Sequence, residues 1–141
     1  MFLDFDKLEK LIPDTDHKML GGLSLAFIGD AVYELLIRNY ILSKGEARIK
    51  DMHKASVRLV NADFQADMTD ILLPLLSDEE TAVFKRGRNA HSAHTPKNKS
   101  EAQYHRSTGF EALIGYLYLK KDFDRLSYLF SLILEQGEKN E

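Results

Sequence analysis

Acidic residues set in otherwise apolar segments are the part of this sequence best suited to chemistry. Asp30 and Glu34 lie four residues apart, so on a helix their carboxylates share one face and repel each other modestly. Glu111 is the only charged residue between Thr108 and Leu119. An acid in such a segment is rarely fully buried unless it is paired or binds a metal. The pattern therefore indicates either structural pairing of these acids or a binding site for a cation.

Of these two interpretations, only the cation site would give the acids a function beyond stabilising the fold. Gly109 and Gly115 each lower helix propensity by about 1 kcal/mol relative to alanine, and close contact between helices is one reason to accept that cost. We hypothesise that two apolar helices pack together and bring Asp30 and Glu111 to one site, where carboxylate oxygens suit Mg²⁺. Such a cation can activate a water for attack on phosphorus. The alternative is that Asp30 bonds to a neighbouring donor and Glu34 lies at the surface.

Basic residues are concentrated in one segment, although the chain has a net charge of −3. Residues 81–100 contain no Asp or Glu and five basic residues, namely Lys85, Arg86, Arg88, Lys97 and Lys99. A basic segment on an acidic body is typical of proteins that hold a phosphate-bearing partner, and a solvated charged loop is the alternative. Lys54 and Arg58 form a second basic line at helical spacing.

Helical periodicity and capping signals predict an all-α fold of about six helices in a single domain, 1–141. The predicted helices span 5–12, 17–43, 50–73, 77 to about 88–91, 100–120 and 122–136, with a loop at 89–99. Ser77 and Glu80 form a capping box for the fourth helix, and Pro74 ends the third. Gly137 is predicted to end the last helix. These elements must position the acids and the basic residues.

Composition excludes several other kinds of site. The chain has no cysteine, so it has no disulfide, no cysteine nucleophile and no iron–sulfur cluster. The first residues lack the pattern of a signal peptide, and no stretch of about 18 apolar residues is present, so we expect a cytoplasmic protein without a membrane span.

Several segments resemble motifs of the ribonuclease III family. LAFIGDAV at 25–32 resembles the signature helix of that family, and TGFEALIGYLYL at 108–119 resembles its second acidic segment. The segments at 52–60, 85–92 and 95–98 agree as well, so the resemblance covers about residues 17–136. The match is closest to the Mini-ribonuclease III branch, which has the nuclease domain without the appended double-stranded-RNA-binding domain.

This resemblance implies an all-helical homodimer that cleaves double-stranded RNA with Mg²⁺ and leaves 5′-phosphate and 3′-hydroxyl ends. Asp30 matches the catalytic, metal-associated aspartate and Glu111 the metal-ligand glutamate. Glu34 is typical of this branch and is a further candidate for a metal contact, with a purely structural role as the alternative. Members of the branch resemble enzymes that trim large-subunit (23S) ribosomal RNA precursors, which implies a role in ribosome biogenesis. Assistance by a ribosomal protein is left open.

The sequence also departs from the larger enzymes of the family. They carry acids at the positions of Leu23, Ala26 and Thr108, so this site has fewer carboxylates, and the sequence does not fix the number of bound metal ions. The departure motivates an alternative function, a non-catalytic RNA-binding dimer of the same fold. A helical interaction protein without a nucleic-acid role is a third.

The candidate RNA contacts come from the two basic regions, since double-stranded RNA is recognised largely through its phosphates and 2′-hydroxyls. They are Lys85, Arg86, Arg88, Lys97, Lys99, Lys54 and Arg58. Surplus apolar residues in 33–42 and 113–119 are candidates for the dimer interface.

Overall fold

The computed structural model describes residues 9–45, 48–90 and 101–139, and within these ranges the chain is helical and contains no strand. The helices are α1 (Gly22–Ser43), α2 (Ile49–Val60), α3 (Ala62–Leu72), α4 (Asp78–Arg88), α5 (Glu101–Leu119) and α6 (Phe123–Lys139), and a 3₁₀ turn (Leu73–Leu75) follows α3. The prediction of an all-α fold with about six helices is confirmed. Most of the predicted helix at 5–12, most of the loop at 89–99 and the two lysines Lys97 and Lys99 lie outside the described residues.

The prediction of a single third helix over 50–73 is wrong, because two helices, α2 and α3, occupy this range and meet at Asn61. The backbone of Asn61 is extended, with φ −69° and ψ 158°, which ends α2. Its side-chain oxygen accepts a hydrogen bond of 2.8 Å from the backbone N–H of Phe64 and so caps α3. The apolar periodicity continues across this break because α2 and α3 both bury one face, so periodicity alone could not reveal it.

Two predicted helix ends also differ from the structure. α1 begins at Gly22 and not at residue 17, since Gly21 has extended backbone (φ −68°, ψ 158°) and serves as the N-cap. α6 continues past Gly137 to Lys139. Gly137 is needed for a different reason: a Cβ there would lie 2.9 Å from a methyl carbon of Leu59, so the glycine permits close packing against α2.

The predicted capping box of α4 is confirmed and is part of a larger connection. The Ser77 hydroxyl accepts a hydrogen bond from the Glu80 backbone N–H at 3.1 Å, and the Glu80 carboxylate accepts one from the Ser77 N–H at 2.8 Å. The same buried carboxylate binds the guanidinium of Arg125 on α6 at 2.8 and 2.9 Å. Glu80 therefore both begins α4 and fastens it to α6.

Helix α5 is the central element, and α1, α3, α4 and α6 all pack against it. A helix that is apolar on all sides is normally buried, and α5 follows this rule from Ser107 to Leu117 except at the half-buried Glu111. Leu113, Ile114, Tyr116 and Leu117 are each no more than 1% exposed. These residues form the core of one chain, so the expectation that 113–119 contributes broadly to a dimer interface is wrong. No helix in the described ranges is long and apolar enough to span a bilayer.

Candidate functional site

The site is built on a crossing of α1 and α5 at which the two backbones touch. A Cβ placed on Gly29 would lie 1.8 Å from the carbonyl oxygen of Glu111, and one on Gly115 would lie 2.0 Å from the carbonyl oxygen of Leu25. Real Cβ atoms do not approach other atoms so closely, so only glycine fits at either position. The close packing explains why two apolar helices accept the propensity cost of these glycines.

This crossing brings together the two helix segments that carry the predicted acids. Asp30 directly follows Gly29 on α1, while the backbone of Glu111 is itself the surface that Gly29 contacts. Glu111 and Gly115 are four residues apart, so they share the face of α5 that meets α1. Asp30 is exposed and Glu111 is half-buried. The hypothesis of two packed helices carrying these acids agrees with the structure, and the role of the acids as metal ligands stays a prediction.

Tyr33 lies beneath this crossing, one helical turn after Asp30. Its side chain is fully buried, and its hydroxyl donates a hydrogen bond of 2.6 Å to the carbonyl oxygen of Leu59 at the end of α2. Its ring packs edge-on against Phe110, with centroids 5.0 Å apart. Burial raises the pKa of the Tyr33 phenol, and the negative charge of Glu111 raises it further. Tyr33 was included in the sequence predictions only through the range 33–42 considered for a dimer interface, and its full burial within one chain contradicts that role.

The remaining acid of the signature helix has a partner of its own. Glu34 forms an ion pair of 2.9 Å with Arg38, one turn further along α1, and both side chains are exposed. Asp30 makes no ion pair with any residue in the described part of the chain. The fold therefore compensates the charge of Glu34 and leaves that of Asp30 open to solvent. The metal contact predicted for Glu34 stays a prediction.

The positions at which the larger enzymes carry acids offer no ligand here. Ala26 is buried, and Thr108 is buried with its hydroxyl donating to the carbonyl of Tyr104 at 2.9 Å. Within the described ranges, no group of three or more His, Cys, Asp or Glu could hold a metal ion. Mg²⁺ is commonly bound by one or two carboxylates, with waters and substrate phosphates completing its octahedron. The donor set of Asp30 and Glu111 fits that mode of binding.

The basic end of α4 adjoins the crossing from one side. A Cβ on Gly87 would lie 2.5 Å from the Cβ of Ala112, so α4 packs directly on α5 beside Glu111. Lys85 is exposed. Arg86 donates to the backbone carbonyls of Lys18 at 2.8 Å and His17 at 3.4 Å, and so holds the segment before α1.

The other basic residues are placed as follows. Arg88 is half-buried, with its Nε donating to the side chain of Asn89 at 3.2 Å. On α2, Lys54 is exposed, whereas Arg58 is half-buried and donates to the carbonyl of Gly137 at 3.1 Å. Arg58 precedes Leu59, the residue that accepts the hydroxyl of Tyr33. The end of α2 therefore contacts α1 at Tyr33, one turn after Asp30.

Known proteins resemble this chain in sequence and in fold. A family model described as "Ribonuclease III domain" matches residues 23–122. The chain is 40% identical over 129 residues to the Mini-ribonuclease 3 of Enterococcus faecalis, a match that covers 89% of this chain and 98% of that protein. It is 46% identical over 108 residues to the Mini-ribonuclease 3 of Symbiobacterium thermophilum, covering 77% and 83% of the two chains. A crystal structure of a protein from Fusobacterium nucleatum superimposes with a TM-score of 0.78 at 30% identity, covering 87% of this chain and 98% of that one.

Proposed function

Because the chain belongs to the ribonuclease III family, we propose that it is a Mg²⁺-dependent endoribonuclease that cleaves double-stranded RNA. The observation that carries this proposal is the contact between Gly29 and the backbone of Glu111, which sets the two acid-bearing segments side by side. The basic end of α4 packs on α5 beside Glu111, and the end of α2 contacts α1 at Tyr33. Basic residues at these two ends suit a partner that carries phosphates.

Asp30 and Glu111 are the proposed metal ligands and catalytic carboxylates, with Glu34 as a further candidate. Bound Mg²⁺ supplies Lewis-acid chemistry, in that it polarises a phosphoryl oxygen and favours ionisation of a water. The exposed carboxylate of Asp30 would bind the cation from α1, and the half-buried carboxylate of Glu111 would bind it from α5. Attack of a water oxygen on phosphorus breaks the bond to the 3′-oxygen, which takes up a proton. The products are then a 5′-phosphate and a 3′-hydroxyl.

The proposed RNA contacts hold the duplex through its backbone phosphates. Lys54 and Lys85 are exposed and extend from the helices that flank the crossing. Arg58, Arg86 and Arg88 belong to the same basic ends, and their guanidinium groups also donate to atoms of the chain itself. Lys97 and Lys99 complete the proposed set from outside the described residues. Binding of this kind depends strongly on salt and little on sequence.

A homodimer is proposed through the outer face of α1. Leu23, Phe27, Leu35 and Leu42 lie along this face, and Phe27 is 82% exposed. A two-fold axis near Leu35 would pair two copies of α1 in antiparallel orientation and bring Phe27 of one copy towards the partner's Leu42, beside which this chain has an apolar pocket of about 160 Å³. Sedimentation velocity should show wild type as a dimer and Phe27→Glu as a monomer; a monomeric wild type at micromolar concentration would contradict the interface.

The proposed cellular role is the maturation of large-subunit (23S) ribosomal RNA precursors, which places the enzyme in the cytoplasm. The relatives named Mini-ribonuclease 3 support the ribonuclease activity on which this role depends. Assistance by a ribosomal protein is part of the same proposal, and adding purified ribosomal proteins to a cleavage reaction on precursor RNA tests it.

The deciding experiment is cleavage of an end-labelled RNA duplex, with single-stranded RNA and duplex DNA as controls, in Mg²⁺ and in EDTA. We expect Mg²⁺-dependent cutting of the RNA duplex alone. Asp30→Asn should lower the rate by roughly a thousandfold or more, which corresponds to about 4 kcal/mol of transition-state stabilisation. Asp67→Asn is the matched control, because Asp67 is also exposed and lies on α3. A duplex that is bound but never cut would instead identify a non-catalytic RNA-binding protein.

A further inference from the structure

A cavity with charged walls lies between α4, the C-terminal half of α5 and the residues before α1. Its volume is about 250 Å³. One water needs only about 10–15 Å³ of such space, so the cavity has room for a ligand much larger than a water. The residues that line it are Lys18, Glu79, Ala82, Val83, Arg86 and Tyr116. None of them is a proposed metal ligand, and only Arg86 has a place in the function proposed above.

The one acid in this lining, Glu79, already has donors of its own. Its carboxylate accepts a hydrogen bond from the Tyr116 hydroxyl, and the Nζ of Lys120 lies 3.6 Å from its other oxygen. The Tyr116 hydrogen bond chiefly, and Lys120 in addition, lower the pKa of the Glu79 carboxyl. The negative charge of Glu79 is therefore largely offset before the other charges of the lining are counted.

The two remaining charges of the lining are both positive. Neither Lys18 nor Arg86 forms an ion pair within the described ranges. The terminal nitrogens of Arg86 donate to the backbone carbonyls of Lys18 at 2.8 Å and His17 at 3.4 Å, which fixes the guanidinium in the cavity wall. Its Nε is buried and finds no acceptor among the described residues. A buried donor of this kind calls for a ligand or a water as its acceptor.

We propose that this cavity binds a phosphate monoester. Such a group carries a charge of about −1.5 to −2 at pH 7, which matches the two positive charges that the fold does not neutralise. A phosphodiester of an RNA backbone carries only one negative charge. Arg86 presents a fixed guanidinium, and the exposed Lys18 presents an ammonium at the rim, the two groups that proteins use for phosphate. The phosphate belongs either to a free mononucleotide or to the 5′ end of an RNA strand.

A titration of the RNA-free protein with adenosine 5′-monophosphate (AMP) tests this proposal, with EDTA present and the protein amide NMR signals as the readout. The dinucleotide ApA is the ligand control, because it contains one phosphodiester and no monoester. Lys18→Gln and Glu79→Gln change the charge of the cavity in opposite directions. Lys50→Gln is the matched control, since Lys50 is an exposed lysine on α2, away from the cavity lining, and forms no ion pair in the described ranges. A thermal melt checks that each variant is folded.

We expect Lys18→Gln to weaken AMP binding by roughly tenfold or more, because it removes a charge-assisted hydrogen bond. Glu79→Gln should strengthen binding several-fold, since it removes the negative charge of the wall and leaves Lys120 without its partner. Lys50→Gln should bind AMP as wild type does, and ApA should bind wild type at least roughly tenfold more weakly than AMP.

Two short single-stranded RNAs of one sequence, with and without a 5′-phosphate, separate the two sources of the group. Preference for the phosphorylated strand, with AMP as a competitor, identifies an RNA end; AMP binding without such a preference identifies a free nucleotide. Wild type that binds no AMP at millimolar concentration would overturn the proposal, as would unchanged binding in Lys18→Gln or equal affinities for AMP and ApA. These measurements involve neither metal nor cleavage, so a chain without nuclease activity would leave the proposal standing.

Discussion

The acids of α4 and Asp30 at the α1–α5 crossing have opposite relations to the fold. Glu80 is buried, accepts hydrogen bonds from the Ser77 N–H and from Arg125, and has a pKa lowered chiefly by that guanidinium. Glu79 accepts the hydroxyl of Tyr116. Asp30, in contrast, is exposed and makes no ion pair within the described ranges.

This difference separates acids that stabilise the chain from acids that are available to a ligand. A charge that contributes to folding is accompanied by donors, since an unpaired buried charge is costly. Asp30 directly follows Gly29, which contacts the backbone of Glu111, and in the described ranges it has no ion-pair partner. Substitutions of the α4 acids should therefore lower stability more than activity, and substitution of Asp30 should lower activity more than stability.

The largest combined effect is expected for Gly29→Ala. The new methyl group would lie 1.8 Å from the Glu111 carbonyl oxygen, so α1 and α5 must move apart. We expect the free energy of unfolding to fall by about 1–3 kcal/mol or more. Because a displacement of about 1 Å can cost 100-fold in rate, cleavage by the folded fraction should fall by roughly that factor. Denaturant unfolding and single-turnover kinetics measure the two effects.

Gly21→Ala is the control for that change. Gly21 is the N-cap of α1, and a Cβ there would have no atom within 4 Å. This variant should keep its cleavage rate and lose at most a few tenths to 1 kcal/mol of stability. Equal behaviour of the two alanine variants would show that the α1–α5 contact does not hold the site together.

Glu80→Gln should give the second largest effect, and on stability alone. Removing this charge takes away the carboxylate that faces Arg125, whose guanidinium then keeps its hydrogen bond to the Leu75 carbonyl, and it weakens the cap of α4. The free energy of unfolding should therefore fall by about 2–4 kcal/mol. The cleavage rate per folded molecule should not change. A loss of activity without a loss of stability would contradict the separation of the two regions.

The free energy of unfolding at acidic pH gives a second test of the Glu80 carboxylate. Since Arg125 lowers the pKa of Glu80 in the folded state, its stabilisation is complete above about pH 5 and is lost as the pH falls through the lowered value. Glu80→Gln should therefore destabilise most near neutral pH, and the two proteins should converge in acid. Urea unfolding at a series of pH values measures this difference.

The sequence was sufficient for features that depend on near neighbours. The capping box of Ser77 and Glu80 needs only residues three apart, and the glycines beside isolated acids indicated a close helix crossing. The break at Asn61 was missed, because helical periodicity runs through it. The Glu80–Arg125 pair and the Tyr33–Leu59 bond join residues 45 and 26 positions apart, and spacing carries no information about such pairs.

The basic residues Lys85 and Arg86 differ in the same way, since only Arg86 is also bonded to the chain itself. When the logarithm of the RNA-duplex binding constant is plotted against the logarithm of the salt concentration, Lys85→Gln and Arg86→Gln should each make the slope less steep by about one. Arg86→Gln should also lower stability by about 1 kcal/mol, because it removes hydrogen bonds to the carbonyls of His17 and Lys18. Filter binding over a salt series and thermal melts measure these effects. An unchanged salt slope in Arg86→Gln would make that residue purely structural.

Glu34→Gln should have the smallest effect and bears on the assignment of the site itself. The pair with Arg38 is exposed and one turn apart on a helix, so its loss should cost no more than about 0.5 kcal/mol. If Glu34 serves only this pair, the Mg²⁺ concentration for half-maximal cleavage stays at the wild-type value, and Arg38→Gln behaves in the same way. A raised Mg²⁺ requirement in Glu34→Gln that is absent in Arg38→Gln would instead make Glu34 a metal ligand together with Asp30 and Glu111. Glu34 would then leave Arg38 and bind the metal ion when that ion is present.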